Sequence, residues 1–253
     1  MGYLHEGHLS LVRRSLRDND VTVVSIFVNP LQFGPGEDLK RYPRDRVRDE
    51  RLLKEAGVDL LLYPAIRTMY PAGYATYVEV ERITEGLCGS LRPGHFRGVA
   101  TVVAKLFNIV APDRAYFGQK DAQQVAVVKA MVRDLNMDVS ITVMPIIREP
   151  DGLAMSSRNR YLTVRERRDA ALLSAALRKA RMTFDAGERS SAKLLRVIKA
   201  IIERSDLARI EYLEIVEVPT LRPVARVRGQ ALIAVAVRIG STRLIDNAIL
   251  TAR

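Results

Sequence analysis

Residues 21–28 read VTVVSIFV, a run that is almost wholly apolar and rich in β-branched side chains. As a strand it is satisfied only when both faces are covered, the setting of a parallel sheet flanked by helices. The next 120 residues repeat this grammar. Residues 45–56 read as a helix, with Gly57 as its C-terminal cap. Residues 58–63 read as a second strand and 99–110 as a helix. Residues 115–117 read as a short strand ending at Gly118. Residues 121–135 read as a helix with Asp121 at its start, where the helix dipole favours an acid. Residues 139–147 read as a last strand. Strands separated by helices imply parallel pairing through right-handed crossovers. The expected fold for residues 1–146 is therefore a doubly wound parallel α/β sheet, with its ligand beyond the carboxyl ends of the strands.

The pattern changes at residue 147. Residues 148–159 are polar, hold Pro150 and Gly152, and read as a loop or hinge. Thr163-Val164-Arg165-Glu166 is a capping box that opens a long helix. Residues 191–204 read as a further helix, with Leu194, Leu195, Val197, Ile198, Ile201 and Ile202 on one broad face. Strand-like runs follow at 210–218, 231–239 and 244–250. Residues 147–253 are expected to form a smaller α+β domain.

Composition narrows the function classes. With 48% hydrophobic residues in 253, the chain can build packed cores. Its longest apolar runs, such as 231–237, are too short to span a bilayer, and no charged-then-apolar leader is visible, so a cytoplasmic protein is expected. The single cysteine, Cys88, excludes an internal disulfide and a cysteine-rich zinc site. The net charge of +11 is uneven: residues 1–159 carry 21 basic and 19 acidic side chains, residues 160–253 carry 19 and 10. That excess fits a nucleic-acid surface or a solvated face. It lacks the regular aromatic interleaving of a single-strand-binding platform, which favours the solvated face.

Five segments could carry chemistry. His5-Glu6-Gly7-His8 holds two of the three histidines, at a spacing that puts both imidazoles on one side of a helical turn. Gly7 leaves room for a ligand, and helix N-terminal amides favour an anion there. The bland alternative is a surface helix start; a metal site would need more ligands than His95 and carboxylates offer. Gly118-Gln119-Lys120-Asp121-Ala122-Gln123-Gln124 lies at a strand-to-helix junction. Lys120 suits a phosphate, and Asp121 suits ribose hydroxyls or a helix cap. Gln123 and Gln124 are adjacent, so only one can face a ligand. Met155-Ser156-Ser157-Arg158-Asn159 offers hydroxyls and a guanidinium for outer phosphates, or is an ordinary loop. In Phe27-Val28-Asn29-Pro30-Leu31-Gln32-Phe33-Gly34, Asn29 and Gln32 project amides at the ligand edge. Residues 91–99, with His95, form another anion-facing loop or a structural turn. All five fall at strand ends or the hinge, a coincidence the bland readings leave unexplained.

In this order, MGYLHEGH, FVNPLQFG, RPGHFRGV, FGQKDAQQ and REPDGLAMSSRN resemble the pantothenate synthetase family, through almost the whole chain. That family belongs to the nucleotidyltransferase group with HIGH-like and KMSKS-like elements, matched here by His5–His8 and Met155–Arg158. The resemblance implies a Rossmann-like nucleotidyltransferase domain and a two-step ligation. Pantoate and ATP would give pantoyl adenylate and pyrophosphate; β-alanine would then give pantothenate and AMP. It implies His8, His5 and Lys120 as catalytic groups. It places ATP against Met1, Gly2, Tyr3, Leu4, His5, Glu6, Gly7, His8, Gly118, Gln119, Lys120, Asp121, Ile147, Met155, Ser156, Ser157 and Arg158. It gives pantoate to Gln32, Gln124 and Asn29. Mg²⁺ would be held mainly by the ATP phosphates, without dedicated protein ligands, and the protein would be a homodimer.

Family members also carry, ahead of the first motif, a segment whose strand leads into it through a Pro-Thr pair. Met1 stands where the motif has an internal methionine, so the expected sheet lacks this first, central strand, and its neighbours lose ladder partners. Two other readings stand beside the ligase. Another adenylyl-transferring enzyme of the same group would share His5–His8 without needing Gln32 and Gln124. A basic nucleic-acid-binding protein would show salt-sensitive binding and no substrate-dependent ATP turnover.

Overall fold

In the computed structural model, which describes residues 2–252, the run 21–28 narrows to a three-residue strand. The chain divides into two units. The first comprises the residues up to Glu85, Gly89–Gln119 and Gln124–Pro145. The second comprises Gly86–Cys88, Lys120–Gln123 and the chain from Ile146 onward. The change of character at 147 marks the main crossing, but the boundary expected there is not a single cut. Two short segments of the first 146 residues join the second unit. The reason is polar: the Gln123 side chain bonds the backbone of Gly86 and Cys88, and Asn247 bonds the backbone of Lys120.

The elements up to residue 145 are α1 (Glu6–Asp18), β1 (Val23–Ser25), α2 (Arg46–Ala56), β2 (Leu60–Leu62), short α3 (Ile66–Met69) and α4 (Cys88–Leu91), α5 (His95–Val110), β3 (Arg114–Gly118), α6 (Ala122–Asp134) and β4 (Ser140–Met144). β1 pairs parallel with β2, Val23 opposite Leu60. β3 pairs parallel with β4, Arg114 opposite Ser140 and Gly118 opposite Met144. Parallel pairing with helical crossovers is as the alternation implies. Among the described residues the parallel strands form two pairs with no ladder between them. The strands are accordingly half-buried at best, and Val21 and Leu60 are exposed. Val21 drops out of the ladder because Thr22 N–H donates to the Asp59 carboxylate (2.8 Å), and Pro30 opens a 3-10 turn soon after. Apolar burial in this unit falls instead on Leu4, Val12, Ile26 and Leu53, where α1, β1 and α2 meet, and on the inner length of α5.

The rest of the second unit is α7 (Val164–Ala170), α8 (Leu172–Asp185), α9 (Ser191–Ile202), β5 (Ala208–Glu217), β6 (Gln230–Ile239) and β7 (Thr242–Thr251). Thr163 caps α7 through the expected box with Glu166. The long helix expected after it is interrupted at Ala171, whose backbone stays in the right-handed helical region, so the axis breaks for one residue only. β5, β6 and β7 form an antiparallel sheet with β6 in the centre. Residues 231–237 are buried throughout because β6 is covered on both faces. Ile233, Val235 and Val237 pack with Leu173, Leu177, Leu194 and Ile198 of the helices, while Leu232 and Ala234 pack with Leu87 and Val216. Among the described residues no helix is long and apolar enough to cross a membrane.

Ile198 is fully buried in the helical layer. Ile198→Ala should cost about 2–5 kcal/mol through lost transfer energy and the cavity left behind. Urea unfolding monitored by the C-terminal unit's signal measures it; a shift below about 1 kcal/mol would contradict this packing.

Candidate active site

The histidine motif starts in strained backbone. Gly2 sits at φ +98°, and a Cβ there would lie 3.1 Å from the Ile26 methyl, so only glycine fits without displacement. The next two amides go to one carboxylate: Tyr3 N–H to Asp49 Oδ2 at 2.6 Å and Leu4 N–H to Asp49 Oδ1 at 2.7 Å. Asp49 is buried on α2. Its neighbour Arg48 donates to the Leu4 carbonyl at 2.8 Å and lays its guanidinium over the Tyr3 ring, 5.0 Å from the centroid. His5 is then the N-cap of α1, and its N–H donates to His8 Nδ1 at 3.3 Å. The two rings stack, centroids 4.0 Å apart and planes 31° apart. With Nδ1 accepting, neutral His8 carries its proton on Nε2. Sequence reasoning missed Asp49. The signal was an acid on the Leu53–Ala56 face of α2, four residues before buried Leu53.

The substrate-amide loop is built from α5. Asn29 is fully buried: its Nδ2 donates to the Gly98 carbonyl (2.9 Å), and its Oδ1 accepts from Tyr70 (2.8 Å) and from Leu31 N–H (3.3 Å). At most one amide proton is left for a ligand. A Cβ on Gly98 would lie 2.3 Å from the Leu31 carbonyl oxygen, so this approach of helix to turn also requires glycine. The buried Gln32 has its carbonyl held by Arg92 Nη2 (2.9 Å) and His95 Nδ1 (2.8 Å). His95 therefore holds the loop, with Nε2 facing Arg92 at 3.2 Å. Arg92 also pairs with Glu37 at 2.5 Å. Burial pushes the Glu37 carboxyl up, but the Arg92 hydrogen bond and charge outweigh it and leave the pKa below the ordinary glutamate value.

The junction segment separates the two glutamines by burial. β3 ends at Gly118, Gln119–Asp121 form a 3-10 turn, and α6 follows. Gln123 is buried, donating to the Gly86 carbonyl and accepting from Cys88 N–H, both at 2.9 Å. Gln124 beside it is half-buried. In the second unit Met155 N–H donates to the Ile147 carbonyl at 2.9 Å, joining two expected nucleotide neighbours. Ser156 caps the 3-10 helix Ser157–Tyr161 by accepting from Arg158 N–H. Asn159 ties this helix to Glu149 and to the Ala154 carbonyl, both at 3.1 Å.

The expected residues thus fall into two sets. Gly2 to His8, Asn29, Gln32, Gly118, Gln119 and Gln124 lie on the first unit; Lys120, Asp121, Ile147 and Met155–Arg158 lie on the second. Met1 lies outside the described residues. No group of three or more His, Cys, Asp or Glu able to hold a metal occurs among the described residues.

Parallel strand pairs with helical crossovers, a histidine pair opening the first helix and a separate antiparallel unit define a nucleotidyltransferase-type α/β enzyme of the ligase class. The sequence model of pantoate-beta-alanine ligase matches residues 1–249, and the chain belongs to that family. A pantothenate synthetase of Heliobacterium modesticaldum is 60% identical over 247 residues, 98% of this chain and 88% of the relative. One from Pelotomaculum thermopropionicum is 59% identical over 250 residues, 99% and 89%. The crystal structure of the Thermus thermophilus enzyme superposes with a TM-score of 0.96 at 52% identity, covering 98% of this chain and 90% of that one. The Francisella tularensis ligase, complexed with beta-gamma ATP and beta-alanine, gives 0.80 at 35% identity, with 98% and 87% covered.

Asp49→Asn removes one of two charged acceptors for the motif amides, and should cost about 1.5–3 kcal/mol. Denaturant unfolding measures it, and a neutral result would remove Asp49 as the anchor. For Glu37 the sign follows from its lowered pKa: the Arg92 pair stabilises the fold above the ordinary glutamate range, and that contribution is lost as pH falls through the folded pKa. Glu37→Gln should lower the melting temperature near neutral pH, with variant and parent converging towards about pH 3. A constant difference across this range would exclude the pair as its cause.

Proposed function

We propose that this chain joins pantoate to β-alanine using ATP, through a pantoyl-adenylate intermediate. The stacked His5–His8 pair, delivered by the Asp49-anchored backbone to the start of α1, is the observation that carries the proposal. A carboxylate is a poor electrophile until one of its oxygens joins a good leaving group. A pantoate carboxylate oxygen attacks the α-phosphorus of ATP, the α–β P–O bond breaks, and pyrophosphate leaves. The β-alanine amine then attacks the acyl carbon, the bond to the phosphate oxygen breaks, AMP leaves, and the amine gives up a proton.

Each candidate group has a role in this sequence. His8 presents Nε2–H to a phosphate oxygen on which negative charge grows during transfer. His5, stacked against it, fixes the ring plane. Gly2–Leu4, Glu6 and Gly7 shape the adenylate side; Gly118, Gln119 and Asp121 take the ribose, and Ile147 lies beside the base. Lys120 places a point charge at the phosphates, and Met155–Arg158 add hydroxyls and a guanidinium. Gln32 and Gln124 hydrogen-bond pantoate, with Asn29 holding Gln32 in register through Leu31 N–H and Gly98. Mg²⁺ would be carried by the triphosphate oxygens, a mode that asks few ligands of the protein. When bound, it neutralises phosphate charge. A cytoplasmic homodimer completes the proposal.

Pyrophosphate release from ATP and Mg²⁺ tests this directly. Pantoate should trigger release, and AMP and pantothenate should need β-alanine; release indifferent to pantoate would sink the reading. His8→Ala should lower kcat by roughly 10²–10³-fold, the usual cost of one donor to a developing charge, in a chain that still folds. Parent-like turnover would remove its role.

A further inference from the structure

β7 carries two adjacent buried polar side chains, Asp246 and Asn247. Such groups are costly unless bonded, and each is bonded to a different candidate segment. Asn247 Nδ2 donates to the backbone carbonyl of Lys120 at 3.0 Å, across 127 residues of sequence. Asp246 takes Arg148 through both arms, Nη1 to Oδ2 at 2.6 Å and Nη2 to Oδ1 at 3.0 Å. Arg148 opens the loop that leads to Met155–Arg158. Its Nη1 also donates to the Gly152 carbonyl (3.1 Å), and its backbone bridges Ala154. Asp246 Oδ1 accepts in turn from Asn247 N–H at 2.8 Å. A continuous hydrogen-bonded chain therefore runs from Lys120 through β7 to the Ser-Ser-Arg loop.

The strand alternation explains how neighbours reach two places. Asn247 stands opposite Ala234 of β6, on the face that also packs Leu87 and Ala122; Asp246 stands opposite Val235, on the face that packs Leu153. One strand thus grips the lysine turn with one face and the hinge loop with the other. Because the two residues are consecutive, neither grip can shift without the other.

We infer that Asp246 and Asn247 are positioning residues that hold Lys120 and Met155–Arg158 at one fixed spacing for the triphosphate of ATP, which rests on the proposal that these segments take its phosphates. A lysine side chain is flexible, so fixing its backbone root sets what its charge can reach. Small displacements of such groups cost rate out of proportion to their size.

A mutant cycle between Asn247 and Lys120 tests this, read by kcat, by KM for each substrate and by calorimetric binding of ATP alone. Asn247→Ala should weaken ATP binding and lower kcat by about tenfold, the scale of one hydrogen bond, and leave KM for β-alanine unchanged. In a Lys120→Ala background the same substitution should change either readout less than twofold. If Asn247→Ala does not fold, Asn247→Leu keeps the volume, removes the donor without adding a charge and should show the same loss. A purely structural Asn247 would lower the melting temperature and leave binding and kcat of the folded enzyme as in the parent. That outcome, or losses that multiply fully with Lys120→Ala, overturns the inference. ATP binding that obeys the cycle without pantoate-triggered pyrophosphate release would sink the ligase reading and leave the strut standing.

Discussion

Two backbone amides donated to one buried carboxylate decide where the histidine motif begins. Tyr3 and Leu4 have their N–H groups satisfied by Asp49, so a helix side chain does for this backbone what a neighbouring strand does elsewhere. Everything the motif can do follows from that anchorage. The turn at Gly2, the cap at His5 and the stacking of His8 each need the two preceding residues in place.

The same device recurs wherever a candidate segment must be held. Asn29 fastens its turn to Gly98, Arg92 and His95 hold the Gln32 carbonyl, Gln123 fastens 86–88, and Asn247 fastens Lys120. In each case a side chain grips main chain, leaving the neighbouring groups to face a ligand. The pattern divides holders from reagents. In the adjacent pair at 123 and 124, the buried Gln123 is a holder.

Much of this was legible in the sequence because it is local. The pattern along the chain found α2, α5, α6, α9 and the central run of β6, and Thr163 with Glu166 marked the start of α7. The resemblance in five motifs located the candidate residues and the reaction. What stayed hidden depends on partners far along the chain. Asp49, Asp246 and Asn247 read as ordinary polar residues, because their meaning is a bond to residues 45, 98 and 127 positions away. The apolar runs marked the strands, but a run records what it could bury, not which ladder it joins, and the pairing of β1 with β2 and of β3 with β4 is read only from the structure. The basic final third is a surface of local pairs, among them Arg165–Asp206, Arg181–Asp185, Lys193–Glu188 and Lys199–Glu203, with side chains mostly exposed. Such pairs contribute little to stability.

The short ladders of the first unit have a consequence for local opening. β1 and β2 share three paired positions and β3 and β4 share five, whereas β6 is paired along ten positions with β7. Amide protons of the strand pairs near the histidine motif should therefore exchange with solvent through small, frequent excursions, while those of β6 wait for the whole unit to open. The unit that carries the histidine motif is held by point fastenings, and the part that presents the hinge loop is held by a long ladder. Substrate would then act on the first unit as a missing layer of cohesion, ordering it by the bonds it brings.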